Sequence, residues 1–177
     1  IWPNCSGSPM RPACCAIRIS RCGGWPWRWR PGGWCLMGVP ASRVSLNTAT
    51  VREQWDLRQC IEGCARHGIG AIAPWRDKLA ECGVEEAARM IADHGLKVSG
   101  LCRGGSFPAA DAAGLEAALD DNRRAVDEAA GIGAACLVLV VGGMPQGSKD
   151  IRLARRQVED GIGRTLEHAR AAGVPLA

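Results

Sequence analysis

The chain has 177 residues, of which 47% are apolar and 23% charged, and its formal net charge is +4. These proportions exclude bulk disorder and a coiled coil. No stretch approaches the roughly 18 to 20 consecutive apolar residues of a membrane helix, and the first residues lack the basic-then-apolar pattern of a signal peptide. We therefore expect a soluble, cytoplasmic protein without a membrane partner.

Composition changes sharply near residue 43. Residues 1–42 hold five of the ten Cys, five of the seven Trp, six of the ten Pro and five Arg, with no Asp or Glu. Their charge is +5, whereas residues 43–177 have a net charge of −1. This contrast predicts two regions, an irregular leader over 1–42 and a folded domain over 43–177.

The composition of the leader allows three interpretations. Trp25, Trp27 and Trp29 alternate with arginines, which could stack on and attract single-stranded nucleic acid. Its cysteines could form a metal knuckle or disulfides, but the segment has neither a Cys-x-x-Cys pair nor a histidine. The bias toward Arg, Gly, Pro, Trp, Cys and Ala is also typical of GC-rich DNA translated outside its natural frame or start. We favour this last interpretation and expect neither an independent fold nor a nucleic-acid partner.

A repeating unit begins after the leader. Four predicted helices each end at a glycine that opens a short apolar run, at His67-Gly68, His94-Gly95, Ala130-Gly131 and Ala172-Gly173. A glycine there can cap the helix, and an adjacent histidine complements the helix dipole, so we interpret both histidines as caps. The apolar runs predict parallel strands covered by helices.

The predicted elements follow in serial β/α order. The strands are 44–48, 71–73, 98–101, 136–141 and the start of a fifth at 174–177; the helices include 51–67, with Thr50 as N-cap, and 150–172, with further helical periodicity over 87–91 and 115–129. The first βα turn, 47–51, has no glycine, which disfavours a doubly wound nucleotide-binding sheet. The predicted fold class is α/β, a partial (β/α)8 TIM barrel of about four βα units plus the start of strand five. A complete barrel needs about 250 residues, so 43–177 would be its N-terminal half.

Five stretches resemble the xylose isomerase-like barrel superfamily, in its sugar phosphate isomerase/epimerase branch. They lie at 45–50 (SLNTAT), 73–77 (APWRD), 100–105 (GLCRGG), 121–125 (DNRRA) and 137–143 (LVLVVGG), and the resemblance covers about residues 43–177. It implies a divalent metal (Mn, Mg, Co or Zn) held by Glu, Asp, His and Glu from strands five to eight. It also implies that two acidic ligands move a proton beside a sugar carbonyl.

All four implied metal ligands would lie beyond Ala177. We therefore assign no catalytic residue and no metal ligand to this chain, expect no metal in the fragment, and expect it to be inactive alone. The implied activity is that of a metal-dependent sugar (phosphate) isomerase or epimerase acting on a small sugar or polyol.

Four residues at predicted strand ends are candidates for substrate binding. Arg103 could bind a phosphate or carboxylate in bidentate fashion, or pair with a neighbouring loop acid. Trp75 could form a wall against a sugar face or cap the core, and Arg76 could add a second polar contact. Asn47 could donate to a hydroxyl or tie strand one to its loop. Asn122, among apolar neighbours on a helix, is expected to bond a nearby backbone group.

Other functions stay open. A related barrel could be a polyol dehydratase, a hydroxypyruvate-type isomerase or a repair endonuclease, although the net charge of −1 over 43–177 argues against tracking along phosphates. A non-enzymatic half-barrel scaffold with a basic leader is the remaining alternative. Strands one and five would be unpaired edges, so we expect self-association through them.

Overall fold

A computed structural model describes residues 39–145 and 147–177, so the predicted leader lies outside the described residues except for 39–42. From residue 45 onward each strand region is followed by a helical region, as the serial pattern predicts. The strands are β1 Ser45–Asn47, β2 Ala71–Ala73, β3 Lys97–Val98, β4 Leu101–Gly105 and β5 Leu137–Val140. The helices are α1 Leu57–Arg66, α2 Arg76–Ala80, α3 Val84–Asp93, α4 Ala112–Gly131 and α5 Ile151–Ala171.

The first helix begins later than its sequence pattern predicts. Residues Thr48–Val51 form a 3-10 turn, and α1 starts only after Asp56, so the predicted N-cap at Thr50 is wrong. Asp56 accepts a hydrogen bond from the backbone N–H of Gln59, whose side chain accepts one from the Asp56 backbone. This capping box satisfies two N–H groups at the helix start, which Thr50 could not do from outside the helix.

The helix ends agree with the predicted caps at the two histidines. His67 and His94 are the C-cap residues of α1 and α3, and His94 Nδ1 lies 2.8 Å from the carbonyl oxygen of Met90. The predicted glycine stop of α4 is shifted, because Gly131 is still helical and Gly133 takes the left-handed conformation at φ +64°.

All strand pairs are parallel and follow the chain order. β1 pairs with β2, β2 with β3, and β4 with β5, while isolated bridges join Trp75 to Cys102 and Leu137 to Leu176. The second bridge places residues 174–177, which the sequence predicts to begin the fifth barrel strand, beside β5. Neighbours in space are thus neighbours in sequence, whereas a doubly wound sheet reverses its strand order at a switch point. The fold is a partial TIM barrel, as predicted.

The third barrel strand is interrupted. The predicted strand 98–101 appears as two pieces, β3 paired with β2 and β4 paired with β5, joined by Ser99 and Gly100. Within β4 the register against β5 shifts between Cys102 and Gly104, so Arg103 is the extra residue of a β-bulge. Bulges commonly redirect a side chain next to a functional site.

The core lies between the sheet and the helices. Alternation along each strand sends one set of side chains outward, so Leu46 contacts the helix layer while Ser45 and Asn47 occupy the opposite face. The buried cluster includes Leu57, Ile61, Ile72, Ala87, Ile91, Val98, Leu101, Ala125, Val126, Ala129 and Leu137. On the inner face, the Oγ atoms of Ser45 and Ser99 lie 2.6 Å apart.

Candidate functional site at the strand ends

The four predicted binding residues all lie where β1, β2 and β4 end. Asn47 is the last residue of β1, Trp75 and Arg76 follow β2, and Arg103 lies within β4. In parallel barrels this carboxyl edge is where ligands bind. Asn47 and Trp75 bond each other, whereas no hydrogen bond is described between Arg76 and Arg103.

Asn47 and Trp75 are in direct contact. Asn47 Oδ1 accepts hydrogen bonds from the backbone N–H of Ala49, at 3.0 Å, and from Trp75 Nε1, at 2.9 Å. The backbone N–H of Trp75 donates to Oγ1 of the buried Thr48 at 3.0 Å. Asn47 therefore ties β1 to its own loop and to the loop after β2. This agrees with the second interpretation of Asn47, that it ties strand one to its loop.

The Trp75 ring is only partly available to a ligand. The guanidinium of Arg52 lies over it, 5.5 Å from the ring centroid, in cation–π geometry. The same guanidinium forms an ion pair with Asp77. One face of the indole is thus covered, and only its other face could act as the predicted wall.

Arg76 is held by two carboxylates of α4. It donates to both oxygens of Asp121, at 2.7 and 3.1 Å, and to both oxygens of Glu128, at 2.6 and 3.0 Å. Its side chain is only 18% exposed. These bonds raise the pKa of Arg76 further, and they lower the pKa of Asp121. These contacts clamp α2 to α4. They use four of the five N–H donors of the Arg76 guanidinium.

Arg103, unlike Arg76, has an exposed side chain. Its backbone has φ +83°, a conformation that L-residues with a side chain seldom adopt. Among residues 39–145 and 147–177, no carboxylate lies within ion-pair distance of its guanidinium, so the alternative of a paired loop acid finds no partner there. Backbone strain of this kind costs about 1–3 kcal/mol and tends to cluster at functional sites.

A cavity brings Arg103 and Arg76 together. It has a volume of about 290 Å³ and is lined by Arg76, Asp77, Arg103, Gly105, Ser106 and Asp121. A larger cavity of about 640 Å³ lies around Cys82 to Arg89, at the start of α3, and includes no strand-end residue. The smaller cavity is therefore the candidate site.

The described part of the chain offers no metal centre. It contains no group of three or more His, Cys, Asp or Glu side chains placed to hold an ion. The carboxylates that line the cavity are instead paired with arginines, Asp121 with Arg76 and Asp77 with Arg52. The residues present do not fit a metal site.

Two features of the site were missed from the sequence. Asp121 and Glu128 are seven residues apart on α4, which places them on one face two turns apart, and that spacing could have indicated a shared partner. The bulge at Arg103 had no such signal beyond the glycine pair that follows it. The expected backbone bond of Asn122 is confirmed, since its side chain bonds both the N–H and the C=O of Gly105.

Comparison with known proteins agrees with this geometry. The sequence model of the xylose isomerase-like TIM barrel family matches residues 61–177. The chain belongs to this family. No curated protein matches the chain. The predicted resemblance to the superfamily is thereby confirmed.

Solved structures show the same fold. The crystal structure of protein SMc04130 from Sinorhizobium meliloti 1021 is 61% identical over 76% of this chain and 49% of that one, with a TM-score of 0.74. IOLI protein with a bound zinc atom is 19% identical, covering 75% and 49%, with a TM-score of 0.65. D-psicose 3-epimerase in the presence of D-fructose is 16% identical, covering 75% and 50%, with a TM-score of 0.62. The chain spans about half the length of these relatives.

None of the described helices combines the length and apolarity that crossing a membrane would require.

Proposed function

We propose that residues 43–177 are the substrate-holding half of a sugar (phosphate) isomerase or epimerase of the xylose isomerase-like family. The observation that carries the proposal is Arg103, an exposed arginine on a bulge at a barrel strand end, facing a cavity beside Arg76. A side chain kept at a strained backbone position is best accounted for by a ligand that it contacts.

The charges of the cavity favour an anionic substrate. Asp121 and Asp77 are each matched by a described arginine, whereas Arg103 has no described carboxylate partner. Arg103 is therefore the lining residue whose charge no described carboxylate pairs with, and its planar, bidentate guanidinium suits a phosphate or carboxylate group. We accordingly favour a phosphorylated sugar over an uncharged one.

The chemical step is assigned to other parts of the barrel. The described residues do not gather metal ligands, and no acid or base in the cavity is free of an arginine partner. In this proposal Arg103 binds the anionic group of the sugar and Arg76 fixes the cavity wall, while Asn47 holds Trp75, whose uncovered face lies outside the cavity lining. The divalent metal and the proton-transfer groups belong to βα units that follow these, so 43–177 alone would be inactive.

The organisation of the chain is part of the proposal. The barrel would begin at about residue 43, directly after the 3-10 turn Ala41–Arg43 and before β1. The protein would act in the cytoplasm on a small sugar or polyol, without a nucleic-acid partner. Val140 and Val141, 49% and 39% exposed, add apolar surface that supports the expected self-association. Light scattering that gives a sharp monomer would contradict that expectation.

Binding by the 177-residue chain tests the substrate-holding role. We expect D-fructose 6-phosphate, used as a probe, to shift amide resonances of β4 and the loop after it, and D-fructose to bind more weakly. Arg103→Ala should weaken binding of the phosphorylated probe about tenfold or more, because a charge-assisted contact is lost. Arg66→Ala, an exposed arginine at the end of α1, is the matched control and should have no effect.

Reading the parent DNA past Ala177 tests the assignment of the chemistry. An in-frame Glu within the next few residues, followed by further strand-end ligands, is the expected result. The complete product should then convert a ketose phosphate into its isomer or epimer. This activity should be lost when EDTA is added and restored by Mn²⁺. The absence of any acidic residue after strand five would overturn the assignment.

A further inference from the structure

Asn122 is a buried polar side chain that bonds Gly105, one of the residues lining the candidate cavity. It lies on α4 with no solvent exposure. Its Oδ1 accepts from the backbone N–H of Gly105 at 2.6 Å, and its Nδ2 donates to the Gly105 carbonyl at 2.7 Å and to the Ala118 carbonyl at 2.8 Å. Both polar groups of one strand residue are therefore held by one amide.

Gly105 leaves little room for any other arrangement. Its φ is +103°, and a Cβ atom at this position would overlap the backbone of Val140 on the neighbouring strand. A Cβ on Gly104 would lie 2.8 Å from Leu139 Cδ2 and 3.2 Å from Asn122 Oδ1. The end of β4 is thus confined between β5 on one side and Asn122 on the other.

The confined segment directly follows the bulge. Arg103 lies two residues before Gly105, and the register shift that makes it the extra residue is completed at Gly104. If the peptide of Gly105 were free to rotate, the strained backbone at Arg103 could relax and redirect its guanidinium. The bonds of Asn122 prevent this rotation from a position outside the cavity.

We propose that Asn122 is the positioning residue that keeps Arg103 aimed into the cavity, an inference that rests on the proposed role of Arg103 in binding. Its neighbour Asp121 holds Arg76, the other arginine that lines the cavity. Two consecutive residues of α4 thereby set both arginines of the site, one through a direct ion pair and one through the backbone. Asn122 itself does not line the cavity.

A double-mutant cycle on the 177-residue chain tests the proposal, with D-fructose 6-phosphate as the probe. Asn122→Ala should weaken binding about tenfold, as should Arg103→Ala. Because both act through one guanidinium, the double variant should bind no more weakly than Arg103→Ala alone. The three-bond HN–Hα coupling of Arg103, which reports its φ, should change in Asn122→Ala before any probe is added.

A second variant separates positioning from loss of stability. Leu119→Ala removes a core side chain of the same helix that is 1% exposed, so it should also lower the unfolding temperature. Below that temperature it should keep the probe affinity and the Arg103 coupling of the wild type. Equal losses of affinity in Leu119→Ala and Asn122→Ala would overturn the proposal, because both would then reflect general destabilisation.

The failures of the two proposals are distinguishable. Unchanged affinity in Arg103→Ala would refute the binding role of Arg103. Weakened affinity in Arg103→Ala with unchanged affinity and coupling in Asn122→Ala would refute the positioning role alone. Additive losses in the double variant would show that Asn122 acts by a route other than Arg103.

Discussion

Replacing Arg103 with glycine should make the protein more stable and the site weaker. At φ +83° a residue with a Cβ atom is strained by about 1–2 kcal/mol, and glycine is not. Glycine also gains freedom in the unfolded chain, which offsets about 0.5–1 kcal/mol of that relief. The Arg103 side chain is exposed, so its removal forfeits little burial. The net expectation for Arg103→Gly is a gain of about 0.5–1 kcal/mol in the free energy of unfolding.

The assay compares two variants by urea denaturation and by titration with D-fructose 6-phosphate. Arg103→Ala removes the guanidinium but retains the Cβ atom, so its unfolding free energy should stay near that of the wild type. Arg103→Gly should have a higher midpoint at an unchanged slope. Both should lose affinity for the probe alike, because both lack the guanidinium.

A destabilised Arg103→Gly variant would refute this reasoning. It would mean that the bulge is not strained by its side chain, or that Arg103 makes a stabilising contact that its exposure conceals. Increased stability with unchanged affinity would refute the binding role instead, and would leave the strain at this position without a functional reason.

Four further predictions concern the helices. In α5, Gly163→Ala should stabilise the protein by about 0.5–1 kcal/mol, because a Cβ atom there meets nothing within 4 Å, and thermal unfolding measures the gain. Gly161→Ala should instead destabilise the protein by about 1–3 kcal/mol, because its Cβ atom would overlap the ring of the buried Phe107. Equal effects on stability at Gly161 and Gly163 would contradict this packing. Thr165→Val should raise the free energy of unfolding by about 1 kcal/mol, because Oγ1 of Thr165 is buried without a hydrogen-bond partner among the described residues. A loss of stability in this variant would show that the hydroxyl does have a partner. Asp121 has its pKa lowered by Arg76, so its contribution is present above the unfolded pKa of about 3.9 and disappears as the pH falls through the lower folded value. The stability difference between the wild type and Asp121→Asn should therefore shrink below about pH 4, and a difference constant from pH 7 to pH 2 would exclude the ion pair as its cause.

Long periodic segments could be predicted from the sequence alone. The predicted helix 150–172 became α5, Ile151–Ala171, because it is long enough to show the helical period clearly. The continuous apolar run 136–141 contains β5, as a parallel strand covered on both faces requires. The start of α1 could have been found from the same text. Asp56 and Gln59 have the spacing of a capping box, a stronger local signal than the single hydroxyl of Thr50.

The bulge and the clamp could not be predicted because contacts distant in sequence determine them. The conformation of Arg103 depends on the register of β4 against β5, and on the bonds from Asn122 to Gly105, 17 residues earlier. The partners of Arg76 lie 45 and 52 residues further along the chain. Local propensity contains no information about such pairings. The sequence could therefore place Arg76 and Arg103 at strand ends, but it could not tell which of the two guanidinium groups has carboxylate partners.

The clamp on Arg76 also has a consequence for how the chain folds. A helix of five residues such as α2 is too short to persist by itself, since forming its first turn costs more than its few bonds return. Four bonds from Arg76 to the twenty-residue α4 attach it to a segment that has ample length of its own. The second and third βα units should therefore open and close together as one cooperative unit, and their backbone amides should exchange with solvent deuterium at a common rate.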